Sequence, residues 1–391
     1  MPSTMPSTTN RPFRRGANRK LWLAVASVTA FLIAPLGAIG QDTPKFVINA
    51  DCQAFDISSN DEIVYAVPHL KHIKRLMLER DDIWISGGPG KDRHIVDADK
   101  FMPIPPVSGF QVNSLRWAPD GHHFAADITV LNAPANYEEK ENKKRGHEAD
   151  IERERGDDAT VQGVGGGRAV VFFDDSGHEI KVAGSKTRFI ENASDATWLA
   201  DGETAVYLNE DHQIARVRPA DGQTSTLFAG HNFDAIVWDA PHNRAFAVGE
   251  NLSVRGNLAL VRLDLLRETV TVISQLDNFQ GKLTLSHSGD KIAFFIDGDT
   301  IQVIDLKRPS GSVTVSAGMG QIQFGRDDDR ILLKRGPDDR SGDLVWVRLD
   351  DDTFAPALHG LEFHAFRISP SGDLIAVAEP GKEVLVVYPL E

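Results

Sequence analysis

Short apolar runs alternate with polar positions along most of this chain, and tight polar turns break them at regular intervals. Strict alternation over four to eight residues predicts half-buried strands rather than helices. One phrase recurs. Residues 366–377 read FRISPSGDLIAV and residues 115–125 read LRWAPDGHHFA. Each copy is a strand ending in a large apolar residue, then a turn rich in Pro, Asp, Ser and Gly, then a second apolar strand. Proline pre-sets φ early in such a turn and glycine supplies the positive φ later.

Seven copies align on Ile57, Trp117, Trp198, Trp238, Leu285, Phe324 and Ile368. A third strand follows in most units, for example at 214–217, 258–261 and 301–304, and a fourth in several, for example at 270–273 and 313–315. Four antiparallel strands in a unit of about 40 residues predict a propeller blade. The expected fold is therefore all-β, a seven-bladed β-propeller of four-stranded antiparallel blades. The last copy has three strands, and residues 46–48 (FVI) form a spare strand ahead of the first copy. The simplest closure pairs that N-terminal strand with the last blade, which also covers a bare sheet edge.

The repeated phrase resembles the WD-like repeat of TolB-type propellers, over about residues 46–391. The chain departs from TolB itself, whose propeller follows an α/β domain. The resemblance implies a rigid ring that presents loops to protein or small-ligand partners.

Residues 1–40 read as a secretory signal peptide. Arg11, Arg14, Arg15, Arg19 and Lys20 form a basic segment, 21–33 is apolar, and small residues precede a cleavage site between Gly40 and Gln41. The expected division is a signal at 1–40 and one propeller at 41–391, exported to the periplasm or the extracellular space, with no membrane span after cleavage. Retention of the apolar stretch would instead anchor the chain. The formal net charge of −14 becomes more negative without the basic leader, which argues against nucleic acid as a partner. Cys52 is the only cysteine, so no internal disulfide or cysteine metal cluster forms, and it reads as a small buried residue.

A charged insertion at 134–168 interrupts the second blade between its second and third strands. Its alternating charges fit a solvated loop or short helix, and it reads as a surface loop or as a docking arm.

Chemistry is sparse in the pattern. There are thirteen histidines but no zinc-binding helix motif, and no nucleophile elbow. No metal site or cofactor is expected. Candidate ligand- or partner-binding residues are His69 with His72, and the acidic pairs Glu210–Asp211, Asp297–Asp299 and Asp338–Asp339, all assigned to second-to-third-strand connections on one face. The expected function is a monomeric, non-catalytic scaffold for another envelope protein or a small ligand. The alternatives are a hydrolase or lyase with its site at the ring mouth, and a sensor or regulatory module.

Overall fold

The structure, a computed structural model, describes residues 43–390 apart from 53, 74–75, 103–106, 133–165, 186, 250–257, 310, 317–319, 336–340, 364 and 380–381. The signal segment, Gly40 and Gln41, and nearly all of the 134–168 insertion lie outside the described residues. Within 42–391, which forms one compact unit, nearly all regular structure is antiparallel sheet.

Five sheets are four-stranded antiparallel blades. Four of them follow in sequence at 194–226, 235–275, 280–316 and 322–362. The fifth joins Ala365–Ile368, Leu374–Glu379 and Val384–Pro389 to the N-terminal strand Phe46–Ile48. In that closing sheet Phe46 pairs Val387 and Ile48 pairs Leu385.

The expectation of seven separate blades needs correction. The first two repeats are merged into one eight-stranded sheet spanning 55–191. The join is a single parallel bridge between Arg80 of Leu76–Ser86 and Phe110 of Val107–Trp117. Its cause is strand length. Both strands run eleven residues, so the far end of Leu76–Ser86 passes beyond its outer strand Asp92–Val96 and meets the next inner strand. Asp81 fixes the join, accepting from the Val112 N–H at 2.6 Å.

Packing between sheets follows the strand alternation. The aligned residues fall at or next to the ends of the inner strands, and most are buried there: Ile57 at 2 %, Trp198 at 2 % and Phe324 at 1 % exposure. Clusters of buried apolar side chains fill the space between successive sheets. Phe228 and Phe233, for example, lie with Ala245 and Leu263. A last cluster joins Ala376 and Val387 of the closing sheet to Phe55, Ile57 and Tyr65 of the first repeat. The arrangement is thus a closed circle of sheets held by face-to-face apolar burial.

Cys52 lies in that closing cluster at 5 % exposure. Burial, with the nearby Asp51 charge, pushes its thiol up to about 12. It packs as a small apolar residue and forms little thiolate at neutral pH.

Candidate functional site

Two hairpins on one side of the molecule outgrow the rest. Ile63–Ile73 pairs with Leu76–Ser86 in unbroken register from Ile63–Ser86 to Ile73–Leu76. His123–Asn132 pairs with Gly166–Asp174 in the neighbouring repeat, out to Leu131–Gly166, and residues 133–165 separate these two strands in sequence. Equivalent strands elsewhere, such as Ala205–Leu208, Lys291–Phe295 and Arg244–Gly249, have four to six residues. At about 3.3 Å per residue the first hairpin extends roughly 20 Å further than those.

The root of the first hairpin gathers charge. The Asp82 carboxylate accepts from the Ala98 N–H at 2.9 Å through Oδ1. Its Oδ2 lies 3.2 Å from His94 Nε2 and 3.6 Å from His69 Nδ1. His94 stacks on Trp84 with ring centroids 4.5 Å apart. Arg80, fully buried, donates to the carbonyls of Ala98, at 2.9 Å, and Met102, and its Nε is 3.3 Å from Asp99 Oδ1. Burial lowers the Arg80 pKa, against the pull of Asp99, Asp82 and Asp97. Asp97 caps the short helix Ala98–Phe101 through the Asp99 and Lys100 N–H groups. The group ties the hairpin base to the chain that crosses to the next repeat.

His69 and His72 lie within the strand Ile63–Ile73 rather than in a connecting loop. An odd spacing along one strand places the two positions on opposite faces. His69 joins the Asp82 group, and His72 pairs across the hairpin with Met77. Glu210 and Asp211 are exposed in the turn after Ala205–Leu208. Glu210 accepts from Asn192 Nδ2 at 3.0 Å, and Asn209 Oδ1 accepts from the Asp211 N–H at 3.0 Å. Asp297 and Asp299 are exposed in the turn before Thr300–Asp305, and hydrogen bonding from Thr300 holds Asp297 below its usual value. Asp338 and Asp339 lie outside the described residues. The acidic turns that are described share the hairpin face, where Glu210 bonds Asn192 at the edge of the preceding sheet and the others bond within their own turns. Among the described residues no group of three or more His, Cys, Asp or Glu side chains is arranged to hold a metal ion.

A second polar system lies where the inner strands meet. The residue just before each aligned apolar position is Asp56, Arg116, Thr197, Val237, Thr284, Gln323 or Arg367. Alternation turns these positions away from one seam and toward the next. Asp56 accepts from the Trp117 N–H at 2.8 Å. Thr284 Oγ1 donates to the Ile322 carbonyl at 3.3 Å, and Gln323 Oε1 accepts from the Ile368 N–H at 2.6 Å. Asp127 accepts from Ser114 Oγ and the Asp195 N–H at 2.9 Å each, and from the Ala196 N–H at 3.2 Å. Burial raises the pKa of Asp56 and of Asp127. Arg367 and Arg116 pull Asp56 back, as Arg116 does Asp127. The motif reading missed this system because it followed the aligned apolar residues. The alternation one place upstream was the available signal.

No family model matches the chain, and no curated protein matches it. Solved structures do. A chain from the crystal structure of a mitotic checkpoint complex superposes with a TM-score of 0.55 over 89 % of this chain and 95 % of that one, at 13 % identity. The fold is a WD-like β-propeller. At this identity the likeness concerns the fold alone. It fits the four-stranded sheets and the polar turns already described. Among the described residues no helix is long and apolar enough to cross a membrane.

Proposed function

We propose that this chain is an exported β-propeller that works as a binding scaffold rather than as an enzyme, docking another envelope protein on the face with the two long hairpins. The merged eight-stranded sheet counts in this reading as two blades of a seven-bladed ring. The basic and apolar leader ahead of Gln41 supports export, and the likeness of the turn phrases to TolB-type propellers favours the periplasm. The observation that carries the reading is the adjacent pair of hairpins, Ile63–Ile73 with Leu76–Ser86 and His123–Asn132 with Gly166–Asp174. Long connections on a rigid scaffold are where binding residues concentrate.

The non-catalytic part rests on how the buried carboxylates are used. Asp56, Asp81 and Asp127 each accept backbone N–H groups at seams. A general acid or base has to offer its carboxyl oxygens to substrate instead.

Two experiments test the proposal. N-terminal sequencing of the protein from a periplasmic fraction should begin at Gln41, and a full-length chain confined to the cytosol would refute export. For docking, residues 70–79 are replaced by Asn-Gly, which joins the paired positions His69 and Arg80 in a two-residue turn and keeps Arg80 and Asp81 at the join. A partner cross-linked to the intact chain should be lost from this variant and from one lacking 134–165. Equal capture by all three chains would rule out the hairpin face.

A further inference from the structure

One carbonyl on the inner strand of the closing sheet is approached by more donors than it can serve. The Phe366 oxygen accepts from Gln321 Nε2 at 2.7 Å, Gln323 Nε2 at 3.0 Å and Arg367 Nη1 at 3.2 Å. A carbonyl oxygen has two lone pairs. Rotating the amides does not remove the excess. Gln321 Oε1 accepts from the Phe366 N–H at 3.2 Å, and Gln323 Oε1 from the Ile368 N–H at 2.6 Å. Flipping either amide would set its NH2 group against a backbone donor.

Charge points the same way. Among the described residues the Arg367 guanidinium makes no other hydrogen bond than the one to Phe366. Burial lowers the Arg367 pKa, with Asp56 attracting the charge and Arg116 repelling it, and among the described residues Arg116 hydrogen-bonds only the Ala196 carbonyl, at 3.5 Å. Arg367 is drawn to Asp56 alone, Arg116 is drawn to both Asp56 and Asp127, and Asp56 already accepts from Trp117. Other seam side chains, Asp56 and Gln323 among them, bond the next inner strand. Arg367 stands at the closing seam with most of its donors unspent. It is partly exposed, as are Arg116, Gln321 and Gln323, so a solute can reach them.

We infer that the inner edge between Ile322–Phe324 and Ala365–Ile368 binds a small oxyanion, held by the Arg367 guanidinium and the Gln321 and Gln323 amides. One anionic oxygen takes the surplus amide donor, and a guanidinium fork suits either a carboxylate or a phosphate. Asp56 competes with the anion for Arg367, which keeps the site reversible. This inference is independent of the docking face proposed above.

The test uses the full-length folded protein with inorganic phosphate and, separately, acetate, at constant ionic strength set with sodium chloride. Binding is followed by titration calorimetry and by the thermal midpoint. At least one anion should bind saturably, and the one that does identifies the class. Arg367→Gln should weaken binding by about tenfold or more, the worth of one charge-assisted contact. Asp56→Asn should tighten it several-fold. Gln321→Glu brings a carboxylate to Arg367 and should abolish binding in a folded protein, which decides the matter if Arg367→Gln does not fold. A response no greater than that to chloride, or one unchanged by both Arg367→Gln and Gln321→Glu, overturns the inference.

Discussion

The Asp56 carboxylate accepts the Trp117 N–H at 2.8 Å across the seam between the first two repeats. Asp56 precedes one aligned apolar residue and Trp117 is the next. The bond thus links consecutive copies at equivalent positions, although the residue at the side-chain position changes from copy to copy. Asp56→Ala removes the acceptor and leaves a seam N–H without a partner. A loss of about 1–3 kcal/mol is expected, read as a lower urea midpoint at unchanged slope. A midpoint within error of the parent would mean that water replaces the carboxylate.

Asp81 predicts a pH dependence. It is 2 % exposed, its Oδ2 holds the Val112 N–H, and Oδ1 has no hydrogen-bond partner among the described residues. Burial, with Glu79 and Asp82 adding to it, pushes its pKa up to about 6 from 3.8. A carboxyl raised on folding binds its proton more tightly in the native state. Its contribution therefore favours folding below pH ~4 and is lost as pH rises to ~6, by about 3 kcal/mol at most. Asp81→Asn keeps an acceptor for Val112 and removes the ionisation. It should flatten the stability profile between those pH values and match or exceed the parent at pH 7. A parallel profile in the variant would assign the slope to other groups.

Gly177 predicts a local weak point. It has φ +82°, and a Cβ there would overlap the Ile95 carbonyl oxygen on the adjoining outer strand. Gly177→Ala meets backbone strain and a backbone clash together, for a cost of about 2 kcal/mol or more. Thermal unfolding would detect it. An unchanged midpoint would require the turn at Gly177 to move freely away from the Asp92–Val96 strand.

Cys52 should resist modification. With its thiol at about 12 and its side chain buried, reaction with an aromatic disulfide reagent at pH 8 should be slow in the native protein and prompt in denaturant. Rapid labelling of native protein would show that the closing cluster opens locally.

Much of the fold was legible because period-2 alternation and turn chemistry act locally. Trp117, Trp198, Leu285 and Phe324 were placed at inner-strand ends from spacing alone, and the structure puts them there. Outer strands were harder. Gln223–Thr226 is exposed at every position, so no apolar signal marks it. The merger of the first two sheets depends on Arg80 and Asp81, charges buried by long-range contacts that spacing cannot register. The Asp82 group was missed for a similar reason. His69, Asp82, His94 and Asp99 come together through hairpin register and a four-residue helix, not through a spaced motif.

The pairing of Phe46–Ile48 with Val384–Pro389 also sets a schedule. During synthesis the Phe46–Ile48 strand has no partner until Val384–Pro389 has been made. Chains that lack this strand are therefore open arcs with a bare strand edge at each end, the condition in which sheets add to foreign strands. Cleavage just before Val384 would return a finished molecule to that state. The Val384–Pro389 strand acts as a latch, and a protease that removes it would open the circle of sheets while leaving every other blade intact.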